Sequence, residues 1–240
     1  VQIKNLQAAI ADYDRSIEFD AKQPRVFISR GMAYRQCGDL ERAAGDYTEA
    51  ISLDRQNART FNRRGKVHFE LGDTDAAISD YSKAIRIDAD FAQAYSNRGA
   101  AYSKQGDHDH AIKDYGEVVR LRPDDSAGYY NRGRAYERRG KFDQAVADYS
   151  ELIRIRPDYA TGHRNRARAH QSVGNITEAI SDYTQAIDLD PENTTTLNNR
   201  GEAYFELGDT DSAISDYTQV IDSDPDFTEA YSNRGNAYRK

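Results

Sequence analysis

The sequence predicts an all-α array, a solenoid of antiparallel helix pairs without strands. Three observations carry this expectation. Two short signatures recur in phase every 34 residues, each period holds two stretches of helical hydrophobic spacing, and turn residues part those stretches at fixed places. In such an array each unit packs only on its neighbours, here as a right-handed superhelix of about fourteen helices.

The first signature is Asn-Arg-Gly at Asn97-Arg98-Gly99, Asn131-Arg132-Gly133, Asn199-Arg200-Gly201 and Asn233-Arg234-Gly235. Degenerate copies stand between them at Ser29-Arg30-Gly31, Arg63-Arg64-Gly65 and Asn165-Arg166-Ala167. The second, Asp-Tyr, keeps the same period from Asp12-Tyr13 through Asp46-Tyr47, Asp80-Tyr81, Asp114-Tyr115, Asp148-Tyr149 and Asp182-Tyr183 to Asp216-Tyr217. No insertion interrupts the phase.

Residues 92–125 serve as the type unit, counted as positions 1 to 34. Tyr95, Arg98, Gly99 and Tyr102 recur at spacings of three and four, which is one face of a first helix. Gly106-Asp107 breaks the pattern and makes the turn. Ala111, Ile112, Tyr115, Val118, Val119 and Leu121 then form the face of a second helix, which Pro123 ends. Pro157, Pro191 and Pro225 hold that place in later units. Small residues at Gly99, Ala101 and Ala111 allow close helix approach, and the tyrosines fill the space between pairs.

The pattern Tyr95-x2-Arg98-Gly99-x2-Tyr102, Ala111-x3-Tyr115, Pro123 resembles the tetratricopeptide repeat, with aromatic-x2-Leu-Gly-x2-Tyr, Ala-x3-aromatic and Pro. The resemblance covers the whole chain and departs at position 7, where Arg replaces the usual Leu. Six full units span 24–57, 58–91, 92–125, 126–159, 160–193 and 194–227. Residues 1–23 read as the second helix of an earlier unit and 228–240 as the first helix of a later one. With no linker between them, 1–240 is expected to be a single solenoid.

Composition excludes several classes. The chain has 240 residues, a formal net charge of −7, 38% hydrophobic and 30% charged residues, and a mean hydropathy of −0.89. The single Cys37 excludes a disulfide framework and a Cys-based zinc site. No stretch approaches the roughly 18 apolar residues of a membrane span. Lys4, Asp12 and Asp14 interrupt any signal-peptide core. A soluble protein is expected, with the cytoplasm favoured, and the missing initial Met suggests a piece of a longer chain. The pI of about 5.3 and the acid-rich outer helices argue against nucleic-acid binding.

Arg at position 7 and Asp at position 23 both border buried stripes, where an unpaired guanidinium is costly. A ladder of Arg–Asp pairs is therefore expected, joining the second helix of one unit to the first of the next, such as Asp46 to Arg64 and Asp80 to Arg98. His163 and His170 stand where another unit has Tyr129 and Tyr136, and His68 also replaces a Tyr, so packing roles are expected. His108 and His110 lie at a turn with Asp107 and Asp109, and solvation is the default there. Cys37 reads as a reduced structural thiol. No phosphate loop, nucleophile elbow or acid pair stands outside the repeat, so no catalytic residue, metal or cofactor is expected.

Positions 2, 5, 6, 9, 12 and 13 of each first helix face away from the buried stripe. In tetratricopeptide proteins that is the concave face, where extended peptides bind. In the first five units these positions hold Arg25, Arg35, Arg59, Arg63, Lys66, Lys104, Arg134, Arg138, Arg164 and Arg168, opposed by Glu70 and Glu137. In the sixth the sign changes at Glu202 and Glu206, and Glu229 follows. A positive groove favours acidic partners. Asn97, Asn131, Asn165, Asn199 and Asn233 offer amides to a peptide backbone, and Phe69, Tyr130 and Phe205 offer apolar contact.

The family's carboxylate clamp for chaperone tails is not matched by any three successive units. Arg164 and Arg168 followed by Asn199 come nearest, but Glu229 and Asn233 then take the basic positions. The expected function is a non-catalytic scaffold for extended, acidic polypeptide segments. The alternatives are a structural or self-associating array, or the substrate-recruiting arm of a larger enzyme. The two ends add an expectation of head-to-tail stacking. Leu6, Ala9, Ile10, Tyr13 and Ile17 at one end and Tyr231, Gly235 and Tyr238 at the other are complementary by construction.

Overall fold

The computed structural model describes residues 2–240, with side chains from Asn5 onward. Val1, the first residue of the expected N-terminal partial unit, lies outside the described residues. The described chain forms helices and no strand. In order they are α1 Gln2–Phe19, α2 Pro24–Gln36, α3 Leu40–Leu53, α4 Ala58–Glu70, α5 Thr74–Ile87, α6 Ala92–Gln105 and α7 His108–Leu121. They continue as α8 Ser126–Arg138, α9 Phe142–Ile155, α10 Ala160–Ser172, α11 Ile176–Leu189, α12 Thr194–Leu207, α13 Thr210–Ser223 and α14 Thr228–Tyr238. Two compact units comprise Val1–Arg122, with α1–α7, and Pro123–Lys240, with α8–α14. Within each, consecutive helices pack pairwise as a helical repeat solenoid.

Local chemistry explains the helix boundaries. Gly106 takes φ +81° after α6, a conformation that a side chain would strain. The next residue, Asp107, caps α7 by accepting from the His110 backbone N–H at 3.1 Å. Asp39, Asp73 and Asp209 cap α3, α5 and α13 in the same way. At the other end, α7, α9 and α13 stop two residues before Pro123, Pro157 and Pro225, and α11 two before Pro191, because the residue preceding Pro is pushed out of helical geometry.

The core is a repeated alanine–tyrosine contact. Ala43, Ala77, Ala111, Ala145, Ala179 and Ala213 are fully buried, and the tyrosines four residues later are buried beside them. Each ring lies over the glycine of its own unit's first helix. A Cβ placed on Gly31, Gly65, Gly99, Gly133 or Gly201 would stand 2.7–3.0 Å from the nearest atom of that ring. The glycine therefore makes the room into which the ring packs. Unit 160–193 carries Ala167 in that place, itself buried in a cluster with Ala179, Tyr183 and Ala203.

The Arg–Asp ladder exists, but its pairing corrects the sequence expectation. Each Arg binds the Asp sixteen residues later, in the second helix of its own unit, and not the Asp of the unit before. Arg30–Asp46, Arg64–Asp80, Arg98–Asp114, Arg132–Asp148, Arg166–Asp182 and Arg200–Asp216 are all bidentate, with N–O distances of 2.6–2.9 Å. In five of the six the remaining guanidinium nitrogen reaches back to the preceding second helix. Arg64 donates to Thr48, Arg98 to Ser82, Arg166 to Ser150 and Arg200 to Thr184 at 2.9–3.1 Å, and Arg30 to Asp14 at 2.6 Å. One planar fork thus ties three helices, and the contact to the neighbouring unit goes through position 25. Aromatic rings at positions 4 and 11 flank the guanidinium: Arg98 lies 5.7 Å from the Tyr95 ring and 6.0 Å from Tyr102.

Candidate functional site

The residues expected at the groove lie on the first helices of the units, and each compact unit has its own wall. In Val1–Arg122, α2, α4 and α6 are bridged by side chains at the expected positions. Arg35 on α2 donates to both carboxylate oxygens of Glu70 on α4, at 2.9 and 2.5 Å. The Lys104 ammonium on α6 sits 4.6 Å from the Phe69 ring centroid on α4. Asn97 donates to Asn62 at 2.9 Å and accepts from Gln93. Arg25, Arg59 and Lys66 are exposed and Arg63 is half-buried, and none of the four has a carboxylate partner.

In Pro123–Lys240 the wall is built from α8, α10, α12 and α14. A cleft of about 520 Å³ opens between α8 and α10, and it gathers six expected residues: Tyr130, Arg134, Arg138, Arg164, Asn165 and Arg168. At its base Arg168 forks onto Glu137, with contacts of 2.8 and 3.0 Å, and Glu137 also accepts from the Tyr149 hydroxyl at 2.8 Å. Burial first, and then the Glu137 charge, drive the Tyr149 phenol far above its ordinary value, so it acts as a fixed donor. Arg134 lies 5.7 Å from the Tyr130 ring. Asn131 and Asn199 are half-buried on the same wall.

One repeat further on the chemistry inverts. Glu202, Phe205, Glu206 and Asn233 line a smaller cleft between α12 and α14. Glu202 accepts from Asn198 and Asn233, each at 3.0 Å. Burial is the main cause that raises the Glu202 carboxyl, with the Glu229 and Glu206 charges adding to it against the two amide donors.

Sequence reasoning missed Phe142 in the lining of the α8–α10 cleft and the buried Tyr149 hydroxyl that holds Glu137. Tyr149 belongs to the repeated Asp-Tyr signature, which reads as pure packing. The only signal was Glu137 twelve residues earlier, a lone acid among arginines that requires partners.

The histidines have local roles. His163 is buried, its Nε2 3.0 Å from the Pro157 carbonyl oxygen and its Nδ1 3.7 Å from Asp182. His110 is 2.7 Å from Asp107 and stacks on Tyr102 at 4.9 Å. Among the described residues no group of three His, Cys, Asp or Glu is placed to hold a metal ion, and no helix is long and apolar enough to cross a membrane. Cys37 is exposed and unpaired beyond the end of α2.

The family model for the TPR repeat matches residues 31–72, 65–106, 172–208 and 201–240, and a second, tetratricopeptide repeat, matches 96–160. The chain belongs to the tetratricopeptide repeat family. Tetratricopeptide arrays are typically protein-interaction scaffolds, and the family supports that coarse role for this chain. None of the curated proteins matches the sequence. Among solved structures the chain is similar to the C-terminal part of a TPR repeat-containing protein from Cytophaga hutchinsonii. They share 20% identity over 95% of this chain and 94% of that one, with a TM-score of 0.84. It is also similar to YrrB, described as a TPR protein with an unusual peptide-binding site, at 20% identity over 78% and 97% of the two chains and a TM-score of 0.70. A MamA protein structure matches at 24% identity over 70% and 92%, with a TM-score of 0.67. At these identities the likeness is one of tetratricopeptide fold.

Proposed function

We propose that this tetratricopeptide array is a non-catalytic scaffold that binds extended, acidic polypeptide segments along the inner walls of its first helices. One observation carries the reading. The structural arginines at position 7 are neutralised by aspartates from Arg30 to Arg200, whereas Arg25, Arg59, Arg63, Lys66, Arg134, Arg138 and Arg164 have no carboxylate partner. A chain with net charge −7 therefore still holds seven cations without carboxylate partners on the wall where this fold meets peptides. The peptide-binding tetratricopeptide neighbour YrrB supports the same use of the fold. The test is capture of protein partners by the wild-type chain beside a variant with Arg59, Arg63, Arg134 and Arg138 reversed to Glu. Acidic partners should be lost from the variant, and binding should weaken as salt rises past about 0.15 M, where screening acts within about 8 Å. Salt-insensitive binding of an apolar ligand would overturn the reading.

A second reading rests on the open face of α14. Five other position-8 glycines are covered by a tyrosine ring, but nothing lies within 4 Å of a Cβ placed on Gly235. Arg234 donates to Thr218 at 3.1 Å and has no aspartate partner, and Tyr231 and Tyr238 are 45% and 68% exposed. On α1, Asp12 and Tyr13 occupy the repeat positions that would fill this place. In this 240-residue chain, α1 of a second copy can dock on α14 and complete a repeat, a heterologous contact that does not close. The α1 face is less open than the sequence suggests, since Ile10 already packs against the cluster of Tyr34, Ala43, Tyr47 and Val67. Sedimentation over a concentration series decides it. Mass should grow for the wild type, fall back for Arg234→Asp, and recover when that variant is mixed with Asp12→Arg. A constant monomer mass for the wild type removes the proposal.

A further inference from the structure

The α8–α10 cleft differs from the rest of the wall in two ways that point to one kind of ligand. Three guanidinium groups, those of Arg134, Arg138 and Arg164, border it without any carboxylate partner, while Glu137 is already spent on Arg168 and Tyr149. Like charges gathered around one cleft raise its potential, and an anion of more than one charge relieves it best.

The second feature is Asn165. It lines the cleft, is only 5% exposed, and its side-chain amide has no hydrogen-bond partner. Two of its repeat equivalents are satisfied across the wall by an Asn at position 5 of the preceding unit, Asn97 by Asn62 at 2.9 Å and Asn233 by Asn198 at 3.3 Å, while Asn131 and Asn199, also without a side-chain partner, are only half-buried. In unit 126–159 that position is Tyr130, so the amide of Asn165 loses its partner and stands open to the cleft. The amide is open to the cleft and committed to no protein acceptor, so a ligand oxygen can accept from it without breaking an existing bond.

We propose that this cleft receives the phosphate of a phosphoserine or phosphothreonine in an extended peptide, which names the acidic group that the scaffold reading leaves open and rests on that reading. A side-chain carboxylate carries one charge and two oxygens, so it neutralises only one guanidinium and offers fewer acceptor sites to several forks at once. A phosphate monoester carries close to two charges and three terminal oxygens, enough for two or three forks and the Asn165 amide together. The rings of Tyr130 and Phe142 give the flanking peptide an apolar wall. The α12–α14 cleft, lined by Glu202 and Glu206, repels the same group and fixes its place on the array.

Fluorescence polarisation with the full chain tests this. The probes are three fluorescein-labelled peptides of one sequence, two glutamates flanking a central phosphoserine, glutamate or serine. The phosphoserine peptide should bind about tenfold tighter than the glutamate one at pH 7.5, as the extra forks imply. That preference should fade toward pH 5, because the second phosphate ionisation lies near pH 6 and the monoanion resembles a carboxylate. Arg138→Gln with Arg164→Gln, both at the surface of a folded helix pair, should abolish the preference, and Asn165→Ala should reduce it. Equal binding of the phosphoserine and glutamate peptides overturns the phosphate assignment and leaves the acidic-segment reading standing. Failure of all three to bind overturns both. Displacement of the phosphopeptide by inorganic phosphate at an equal concentration would mean that the cleft takes the free ion, and overturns the peptide assignment.

Discussion

Arg98 holds Asp114 by two parallel hydrogen bonds, Nε to Oδ2 at 2.8 Å and Nη2 to Oδ1 at 2.7 Å, between the two helices of one repeat. The carboxylate is almost wholly buried and the guanidinium mostly so. Removing one partner therefore strands a buried charge. Arg98→Ala should cost about 3–5 kcal/mol in urea unfolding, and Arg98→Lys should not restore it because an ammonium cannot fork. The double change Arg98→Leu with Asp114→Leu should lose far less than either single change, as apolar replacements of buried pairs often do. Additive losses would mean that the two side chains act separately.

The glycines divide by what covers them. A Cβ on Gly133 would meet the Tyr149 ring at 2.8 Å, whereas one on Gly235 meets nothing. Gly133→Val should therefore destabilise by about 1–3 kcal/mol through overpacking. Gly235→Ala should stabilise α14 by up to about 1 kcal/mol through helix propensity alone. Thermal unfolding of both variants checks the contrast, and a loss from Gly235→Ala would show that the α14 face is covered in solution.

Glu202 gives a pH dependence of known sign. Its carboxyl is raised in the folded chain, chiefly by burial, so folding favours the protonated form. Its contribution is therefore present below the ordinary carboxyl pKa and is lost as pH rises through the raised one. Glu202→Gln keeps an oxygen to accept from Asn198 and Asn233 and carries no charge. It should raise Tm at pH 8 and have no effect at pH 4. The same increment at both pH values would refute this cause.

Groove cations should contribute according to whether they are free. Arg35 is committed to Glu70, while Arg138 has no carboxylate partner. Arg138→Ala should weaken an acidic peptide by about threefold to thirtyfold at low salt, and Arg35→Ala by less, since a charge already paired steers little. Titrations at two salt concentrations separate them, and equal losses would mean that pairing does not set the effect.

The sequence by itself determined the helices, their phase and the core. Gly-Asp turns, capping aspartates, prolines and the alternation of small and aromatic residues act within one or two turns of chain, so a 34-residue period displays them directly. It also required that each position-7 Arg find an Asp, because a half-buried guanidinium cannot stay unpaired. Only the tertiary structure decided which Asp. Phase is the same for the Asp sixteen residues ahead and the one eighteen behind, and the crossing of the two helices within a repeat puts only the former within reach of both guanidinium nitrogens. The wall follows the same division. Its basic positions are plain in the sequence, but Arg35 and Arg168 are neutralised across helices, and Asn165 is left open because Tyr130 stands where another repeat has Asn. Those outcomes depend on distances between helices more than thirty residues apart, which local periodicity does not encode.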